Sequence, residues 1–111
     1  MRTRAELYDS LLKYQVELSF GIETSLLKHS KWSESKNVLD YGCGNAYFSY
    51  CLSQDYPEKH FYCCDRDADI LKLASKTSSI ELICGSFPEI EIPNNIDFFI
   101  IRHLTSYLPD R

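Results

Sequence analysis

Apolar residues recur every three or four positions between about Thr3 and Lys28, which predicts an amino-terminal helix. The residues that this spacing places on one helix face are Leu7, Leu11, Tyr14, Leu18 and Ile22. Thr3-Arg4-Ala5-Glu6 has the form of a capping box at the start of the helix. Gly21 is expected to break or bend this segment, giving two helices instead of one.

Four apolar runs further along the chain have the length and composition of strands, and they cover Asn37–Tyr41, His60–Cys64, Ile80–Cys84 and Ile96–Ile101. The first is an unbroken apolar run, which is typical of a buried parallel strand. Helices are expected from residue 45 or 46 to about 53 and from 67 to 76, and a loop over 88–95 precedes the fourth run. This alternation indicates an α/β fold with a parallel sheet.

The turn after the first strand is the most informative part of the sequence. The strand ends in Asp40-Tyr41 and is followed by Gly42 and Gly44. Glycine tolerates positive φ and has no Cβ, so the backbone can pass close to a ligand. The second strand ends in Asp65, about 20 residues after the glycines, which is the spacing of a carboxylate that binds ribose hydroxyls. The sequence therefore predicts a nucleoside-binding unit.

The run Val-Leu-Asp-x-Gly-Cys-Gly-x-Ala over residues 38–46, with Asp65 downstream, resembles the cofactor half of the class I S-adenosylmethionine (SAM)-dependent methyltransferases. The competing fold is that of the NAD enzymes, whose fingerprint G-x-G-x-x-G needs a third glycine where Tyr47 stands. Asp40 would also repel a diphosphate, whereas it suits the positive amine and sulfonium of SAM. The methyltransferase interpretation is therefore preferred.

The resemblance covers roughly residues 37–104 and implies a Rossmann-like parallel sheet of order 3-2-1-4 with flanking helices. Residues 1–36 would form an amino-terminal helical lid or cap, and residues 37–111 a partial SAM-binding domain. The carboxyl-terminal strands of the family are missing from this sequence. The fourth strand would then be an edge with unpaired backbone groups over residues 96–101. We expect either a fragment of a longer enzyme, or a homodimer or partner chain that covers this edge.

The resemblance also implies which residues of the glycine turn hold the cofactor. Gly42, Cys43 and Gly44 would line the methionine end of SAM. Asp40 would orient the methionine amine, or would fix the glycine loop through backbone N–H groups. Asp65 would accept hydrogen bonds from the two ribose hydroxyls, with helix capping as its alternative role.

The remaining candidate residues follow the second, third and fourth strands. Arg66 would sit beside the adenine edge, or would simply be exposed. Ser86 stands where the family often has an acid that accepts from the adenine amino group, and Phe87 would stack on adenine or pack in the core. Arg102 and His103 leave the fourth strand at the rim where ligands of open α/β sheets bind. His103 is the one candidate general base, with a structural histidine as the alternative.

The implied reaction is in-line methyl transfer from a sulfonium to an N, O or C nucleophile on an unknown acceptor. The sequence contains neither an Asn/Asp-Pro-Pro-aromatic motif nor a Pro-Cys nucleophile, so small molecules and structured RNA remain as acceptor classes. The formal charge of −4 does not favour nucleic acid as the main partner. The alternative function is a non-catalytic SAM-binding half-domain, or a subunit that needs a partner chain.

Composition narrows the class of protein further. A length of 111 residues suffices for one domain with one core. Five cysteines without a C-x-x-C pair indicate reduced thiols in a cytoplasmic protein and no metal site. No apolar run approaches the ~20 residues that span a bilayer, so no membrane association is expected.

Overall fold

A computed structural model describes residues 2–27, 31–86 and 88–101, and its centre is a four-stranded parallel sheet of order β3-β2-β1-β4. The strands are β1 (Asn37–Tyr41), β2 (His60–Asp65), β3 (Ile80–Cys84) and β4 (Phe98–Ile101). The helices are α1 (Arg4–Leu27), α2 (Tyr47–Asp55) and α3 (Ala68–Leu71), and a single 3₁₀ turn spans Lys31–Glu34. The predicted Rossmann-like α/β fold and its strand order are confirmed.

The register of the sheet places the functional turns side by side. Val38 of β1 pairs with Phe61 of β2 and with Phe98 of β4. At the other end of the same strands, Tyr41 pairs with Cys64. The turn that follows β1 therefore begins next to the carboxyl end of β2, which is where ligands of open α/β sheets bind.

The main core cluster joins side chains of the sheet to side chains of α1 and α2. It combines side chains from the helices, the 3₁₀ turn and the strands: Val16, Trp32, Val38, Phe48, Leu52, Phe61, Cys63, Ile80 and Ile100. Phe20 of α1 meets Phe48 of α2 edge to face, with ring centres 5.7 Å apart. Helix α1 thus packs on α2, and α2 packs on the sheet, through apolar side chains.

Helix α1 begins as the sequence predicts and continues where a break was expected. The Thr3 N–H donates to Glu6 Oε1 at 2.8 Å, and the Glu6 N–H donates to Thr3 Oγ1 at 3.1 Å, so the capping box is confirmed. The expected break at Gly21 is wrong, because α1 runs without interruption through that residue. One glycine costs a helix interior only about 1 kcal/mol, which packing of the long helix outweighs.

The face of α1 that packs against the core differs from the one with the strongest apolar spacing. Leu7, Leu11, Tyr14 and Leu18 are each half exposed or more, whereas Val16 and Phe20 belong to the core or pack against it. Apolar side chains therefore occur on two faces of this helix. The spacing in the sequence indicated only the face of Leu7, Leu11, Tyr14 and Leu18, and the face that packs against the core became apparent only in the structure.

Helix α3 is shorter than the predicted segment from 67 to 76. Asp67 caps it, since its side chain accepts from the N–H groups of Asp69 and Ile70. After Leu71 the backbone tightens into i→i−3 bonds, with the Ala74 N–H donating to the Leu71 carbonyl at 3.1 Å. The chain has to turn here to enter β3 beside β2, so the helix ends early.

Strand β4 is the outermost strand of the described sheet and pairs with β1 alone. Its residues Phe99 and Ile101 are both more than half exposed. The open edge expected over residues 96–101 is therefore present in the described chain, while a covering partner stays a prediction. In the part of the chain that the structure describes, no helix is long and apolar enough to cross a membrane.

Candidate functional site

The glycine turn after β1 is attached by its backbone to the end of β2. The N–H groups of Gly42 and Cys43 both donate to the Cys64 carbonyl, at 2.8 and 2.9 Å. The Ala46 N–H then donates back to the Cys43 carbonyl at 3.0 Å. These hydrogen bonds between backbone groups fix the path of the turn.

Three residues of this turn adopt positive φ: Gly42 at 78°, Gly44 at 61° and Ala46 at 61°. The two glycines adopt this conformation at no steric cost, as the sequence analysis expected. Ala46 does so at a cost of roughly 1–2 kcal/mol, because its Cβ approaches a carbonyl oxygen in the left-handed region. Ala46 is fully buried in the core, which holds it in this conformation.

The two glycines face different surroundings. A Cβ added at Gly42 would meet nothing within 4 Å, whereas one added at Gly44 would lie 2.8 Å from Leu12 Cδ1 of α1. Gly42 therefore borders open space that a ligand could enter. Gly44 gives α1 room to lie directly against the turn.

Asp65, at the end of β2, joins the turn after β1 to the turn after β2. Its Oδ2 accepts from the Gly44 N–H at 2.8 Å, and its Oδ1 accepts from the Asp67 N–H at 2.9 Å. Asp67, not Asp65, caps α3. Each carboxylate oxygen has two lone pairs, so Asp65 keeps one acceptor site on each oxygen for a ligand hydroxyl.

The environment of Asp65 raises its pKa above the usual range of aspartate. Burial is the main cause, and the nearby charge of Asp67 acts in the same direction. The two backbone N–H donors and Arg66 oppose this shift without cancelling it. A carboxylate held in this way gains from a ligand that brings further donors, as a pair of ribose hydroxyls would.

Asp40 lies under the turn and is buried. Its Oδ2 accepts from the Ser49 hydroxyl of α2 at 2.7 Å. This bond anchors the first half of α2 to β1 and holds the carboxylate near the turn. Its predicted role toward a methionine amine stays a prediction.

The surroundings of the Cys43 thiol raise its pKa. A hydrogen bond with Cys63 raises its pKa well above the usual cysteine value, followed by burial and by the negative charges of Asp40 and Asp65. A neutral thiol is a poor nucleophile and a poor metal ligand, so Cys43 offers only small apolar surface and backbone here. The carboxylates make the turn attractive to a cation and unattractive to a diphosphate.

The residues that follow β3 lie beside the turn after β2 and form the third part of the described site. The Gly85 N–H donates to the Asp65 carbonyl at 2.9 Å, and the Ser86 carbonyl accepts from Glu89 at 2.9 Å. Ser86 is half-buried beside this junction, and Arg66 is exposed in the turn after β2. The other predicted site residues, Phe87, Arg102 and His103, lie outside the described residues.

Helix α1 contributes contacts to the site that the sequence did not identify. Asn45 Nδ2 donates to Asp9 Oδ1 at 2.7 Å, and Arg4 lies 3.4 Å from Asp67 Oδ2. Together with the contact of Leu12 on Gly44, these pairs join α1 to the turns after β1 and β2. Asp9 and Leu12 belong to no recognisable sequence motif. Their contacts with the glycine turn therefore become apparent only in the structure.

Tyr47 occupies the position where a dinucleotide fold needs glycine. Its hydroxyl donates to Glu17 Oε2 of α1 at 3.0 Å, and this bond is the main reason that its pKa rises to about 12. The Tyr47 N–H is already bonded to Asn45 Oδ1 at 3.1 Å. One helix N–H that a diphosphate would use is therefore taken, in agreement with the preference against the NAD fold.

Comparison with known proteins identifies relatives of this arrangement. Residues 38–111 match a family model described as a methyltransferase domain. No curated protein matches the sequence significantly. Human N-acetylserotonin methyltransferase, solved in complex with SAM, superposes with a TM-score of 0.68 at 18% identity, covering 85% of this chain and 27% of its own.

Two further solved structures share the fold. The SAM-dependent methyltransferase SibL, solved in its apo form, has a TM-score of 0.64 at 21% identity and covers 78% of this chain and 27% of its own. The third structure is a protein described as a methyltransferase from an antibiotic biosynthesis pathway of Anabaena variabilis. It superposes with a TM-score of 0.63 at 16% identity, covering 74% of this chain and 33% of its own. The chain therefore spans a third or less of the length of each of these proteins.

Proposed function

Because the chain belongs to the methyltransferase domain family, we propose that the carboxyl ends of β1, β2 and β3 bind SAM and that the protein transfers its methyl group to an acceptor. Membership of this family confirms the resemblance that the sequence shows over residues 38–46. The observation that carries the proposal is the 2.8 Å bond from the Gly44 N–H to Asp65 Oδ2. It joins the two halves of the nucleoside-binding pattern at one edge of the sheet.

The described residues fit the chemistry of SAM. Asp65 keeps acceptor capacity for two ribose hydroxyls, since each of its oxygens uses one site for a backbone N–H. Gly42 borders open space through which a ligand can contact the backbone. The carboxylates of Asp40 and Asp65 favour the positive amine and sulfonium. Bound SAM would supply the methyl group on a good leaving group, so a protein base is optional.

The protein's own task is then to bind, orient and exclude water. Leu12 covers Gly44, and Asp9 bonds Asn45, so α1 can shield the end of the site nearest the glycine turn. Ser86, Arg66, Phe87 and Arg102 are proposed to border the adenine and the rim. His103 is proposed as a general base that acts only if the acceptor must lose a proton.

The acceptor is proposed to be a small molecule or a structured RNA. Both motifs that would indicate amino-group or cytosine-C5 methylation of nucleic acids are missing from residues 100–104 and their surroundings in this sequence. Net negative charge makes a small molecule the better first choice.

Isothermal titration of the chain with SAM and S-adenosylhomocysteine tests the cofactor site. Asp65→Asn keeps the size of the side chain but replaces one carboxylate oxygen with an amide donor. We expect it to weaken binding by about tenfold or more, since a charge-assisted hydrogen bond is lost. Asp69→Asn is the matched control, because Asp69 is an exposed carboxylate four residues away that contacts neither glycine turn nor β-strand rim in the described structure.

Circular dichroism of both variants verifies that the fold is retained. Equal SAM affinity for the wild type and Asp65→Asn would contradict the proposed ribose contact. Binding of NAD in place of SAM would contradict the methyltransferase proposal and favour the dinucleotide alternative.

A second proposal concerns how much of the reaction this chain performs alone. Strand β4 leaves its outer edge and the side chains of Phe99 and Ile101 exposed. The chain also covers at most 33% of the solved methyltransferases with which it was compared. These facts favour a SAM-binding half-domain whose β4 edge is covered by further strands or by a partner chain.

Formation of S-adenosylhomocysteine by the isolated chain, measured over panels of small-molecule and RNA acceptors, separates the two proposals. Saturable SAM binding without product on any acceptor supports the half-domain. Turnover by the isolated chain would show that the half-domain proposal is wrong and that residues 1–111 suffice for catalysis.

A further inference from the structure

The outward face of α1 carries a continuous apolar stripe. We name it the outer stripe; it consists of Leu7, Leu11, Tyr14 and Leu18, with 56%, 50%, 60% and 67% of their surfaces exposed. Their spacing alternates between four and three residues, as in helices that pair along a common seam. Single exposed apolar residues are ordinary, but four in line on one helix indicate an interaction surface.

The opposite face of α1 is already used. Leu12 lies against the glycine turn, and Val16 and Phe20 pack with the core of the sheet. A surface helix of a globular protein normally has one apolar face and one polar face. Helix α1 has two apolar faces, which is typical of a helix that is covered on both sides.

We propose that the outer stripe binds the outer stripe of a second copy of this chain, with the two α1 helices antiparallel. In a pair centred between Leu11 and Tyr14, Leu11 of one copy faces Tyr14 of the second copy, and Leu7 faces Leu18 of the second copy. The same four residues thus complement one another across a two-fold axis, which is the commonest symmetry of soluble dimers.

Charge selects the antiparallel orientation. Arg4 lies one turn before the stripe; its Nη2 is 3.4 Å from Asp67 Oδ2 of the same chain, and its side chain is still 77% exposed. A parallel pair would bring the two Arg4 side chains together. The antiparallel pair places Arg4 opposite Gly21 of the second copy, one turn from Glu17 of that copy, where opposite charges attract. A Cβ at Gly21 would meet nothing within 4 Å, so the long stem of Arg4 has space there.

The stripe supplies about half of the area that a specific interface needs. Four side chains exposed to this extent leave roughly 400 Å² of apolar surface on each copy. A specific interface buries about 800 Å² per partner, with an apolar centre and a polar rim. A helix of 24 residues is about 36 Å long, so polar side chains along the stripe can supply the rim.

Sedimentation equilibrium of the full chain over a concentration series tests the proposal without cofactor or acceptor. We expect a mass that approaches twice the 12.9 kDa of one chain as concentration rises. The double variant Leu11→Glu with Leu18→Glu should stay at the mass of one chain over the same series. The matched control is Phe99→Glu with Ile101→Glu, which removes comparably exposed apolar groups from β4 and should leave the dimer intact.

A charge exchange tests the orientation, with urea denaturation of each variant to show that loss of the Arg4–Asp67 and Tyr47–Glu17 contacts leaves the fold intact. Arg4→Glu should weaken the dimer about tenfold, and adding Glu17→Arg should restore most of that loss. A wild-type chain that stays monomeric throughout overturns the proposal. So does a dimer that survives the stripe variants but is lost in the β4 control, since the interface would then be the sheet edge.

Discussion

The two ends of the sheet use aspartates in opposite ways. At the amino ends of the strands, Asp97 accepts from the backbone N–H groups of Lys36 and Asn37 at 2.9–3.1 Å. Burial acts to raise the pKa of Asp97, but these donors and the charge of Lys59 lower it overall. At the carboxyl ends, Asp65 also accepts two backbone N–H groups, yet burial and the charge of Asp67 leave its pKa raised.

Burial is the main difference, because Asp65 is half-buried and Asp97 is exposed, and a buried lysine near Asp97 adds to it. Lys59 precedes β2, and its Nζ donates to the carbonyls of Trp32 and Ser35 at 2.7 and 2.6 Å. The same Nζ lies 4.5 Å from the centre of the Trp32 ring. The amino end of the sheet therefore contains a cation whose donors are bonded to the chain itself.

The carboxyl end has the opposite charge and an opening. The carboxylates of Asp40 and Asp65 lie near the glycine turn, and Gly42 borders open space. At one end polar groups satisfy one another and stabilise the fold, while at the other they retain capacity for a ligand. Substitutions at the amino end should therefore lower stability without changing SAM binding. Substitutions at the carboxyl end should weaken SAM binding.

The largest expected effect is at the amino end. Lys59→Met keeps the length of the side chain but removes the charge and three hydrogen bonds, to the carbonyls of Trp32 and Ser35 and to Ser35 Oγ. The Ser35 carbonyl loses this donor, while the Trp32 carbonyl keeps the donors that Ser35 supplies. We expect the free energy of unfolding to fall by about 3 kcal/mol, measured by urea denaturation, with SAM affinity of the folded protein unchanged. Lys72→Met is the control, because Lys72 is exposed. A loss below about 1 kcal/mol would show that the hydrogen bonds of Lys59 contribute little to stability at the amino end of the sheet.

A glycine comparison sharpens the contrast at the carboxyl end. Gly42→Ala places a Cβ in the open space and forces alanine to φ 78°. We expect a loss of about 1–2 kcal/mol in the free energy of unfolding and weaker SAM binding by calorimetry. Gly21→Ala, in the middle of α1, should instead add about 0.5–1 kcal/mol and leave SAM binding unchanged. Unaltered SAM binding in Gly42→Ala would show that SAM does not approach the backbone at Gly42.

The smallest expected effect is in the pH dependence of stability. The lowered pKa of Asp97 means that its contribution is present above the unfolded-state pKa and lost as pH falls through the folded-state pKa. The raised pKa of Asp65 means the reverse: its contribution is present at low pH and is lost as pH rises. Between pH 7 and 3, Asp97→Asn should therefore lose less stability than the wild type, and Asp65→Asn should lose more.

Each of these differences should stay below about 1 kcal/mol, because solvent screens the charges. Chemical denaturation at several pH values measures them. Parallel curves for the two variants would contradict the opposite behaviour of the two aspartates.

Local chemistry made a large part of the molecule predictable. The capping box of Thr3 and Glu6, the cap at Asp67 and the glycine turn each depend on residues close in sequence, and all three are present. The sheet order came from the family resemblance, not from spacing. The predicted break at Gly21 failed because a local penalty of about 1 kcal/mol is smaller than tertiary packing.

The contacts that the sequence did not reveal join distant residues. Asn45 and Asp9 are 36 positions apart, and Asp97 and Lys36 are 61 apart. Nothing in the types of these residues marks them as partners, because aspartates and asparagines serve equally well in turns and caps. The contact of Asp97 with Lys36 follows from the pairing of β4 with β1, and that of Asn45 with Asp9 from the position of α1 beside the glycine turn.

The sequence by itself determined the positions of the strands, the glycine turn and the acid that follows it, because these depend on short-range periodicity and on the φ that glycine allows. The tertiary structure decided which face of α1 packs against the core and that Lys59 is buried. It also decided that Asp97 binds the backbone N–H groups of Lys36 and Asn37, while Asp65 lies beside the glycine turn. Those outcomes depend on burial and on charges brought together from distant positions. An aspartate has the same chemistry everywhere in a sequence, and only its surroundings set its pKa and its role.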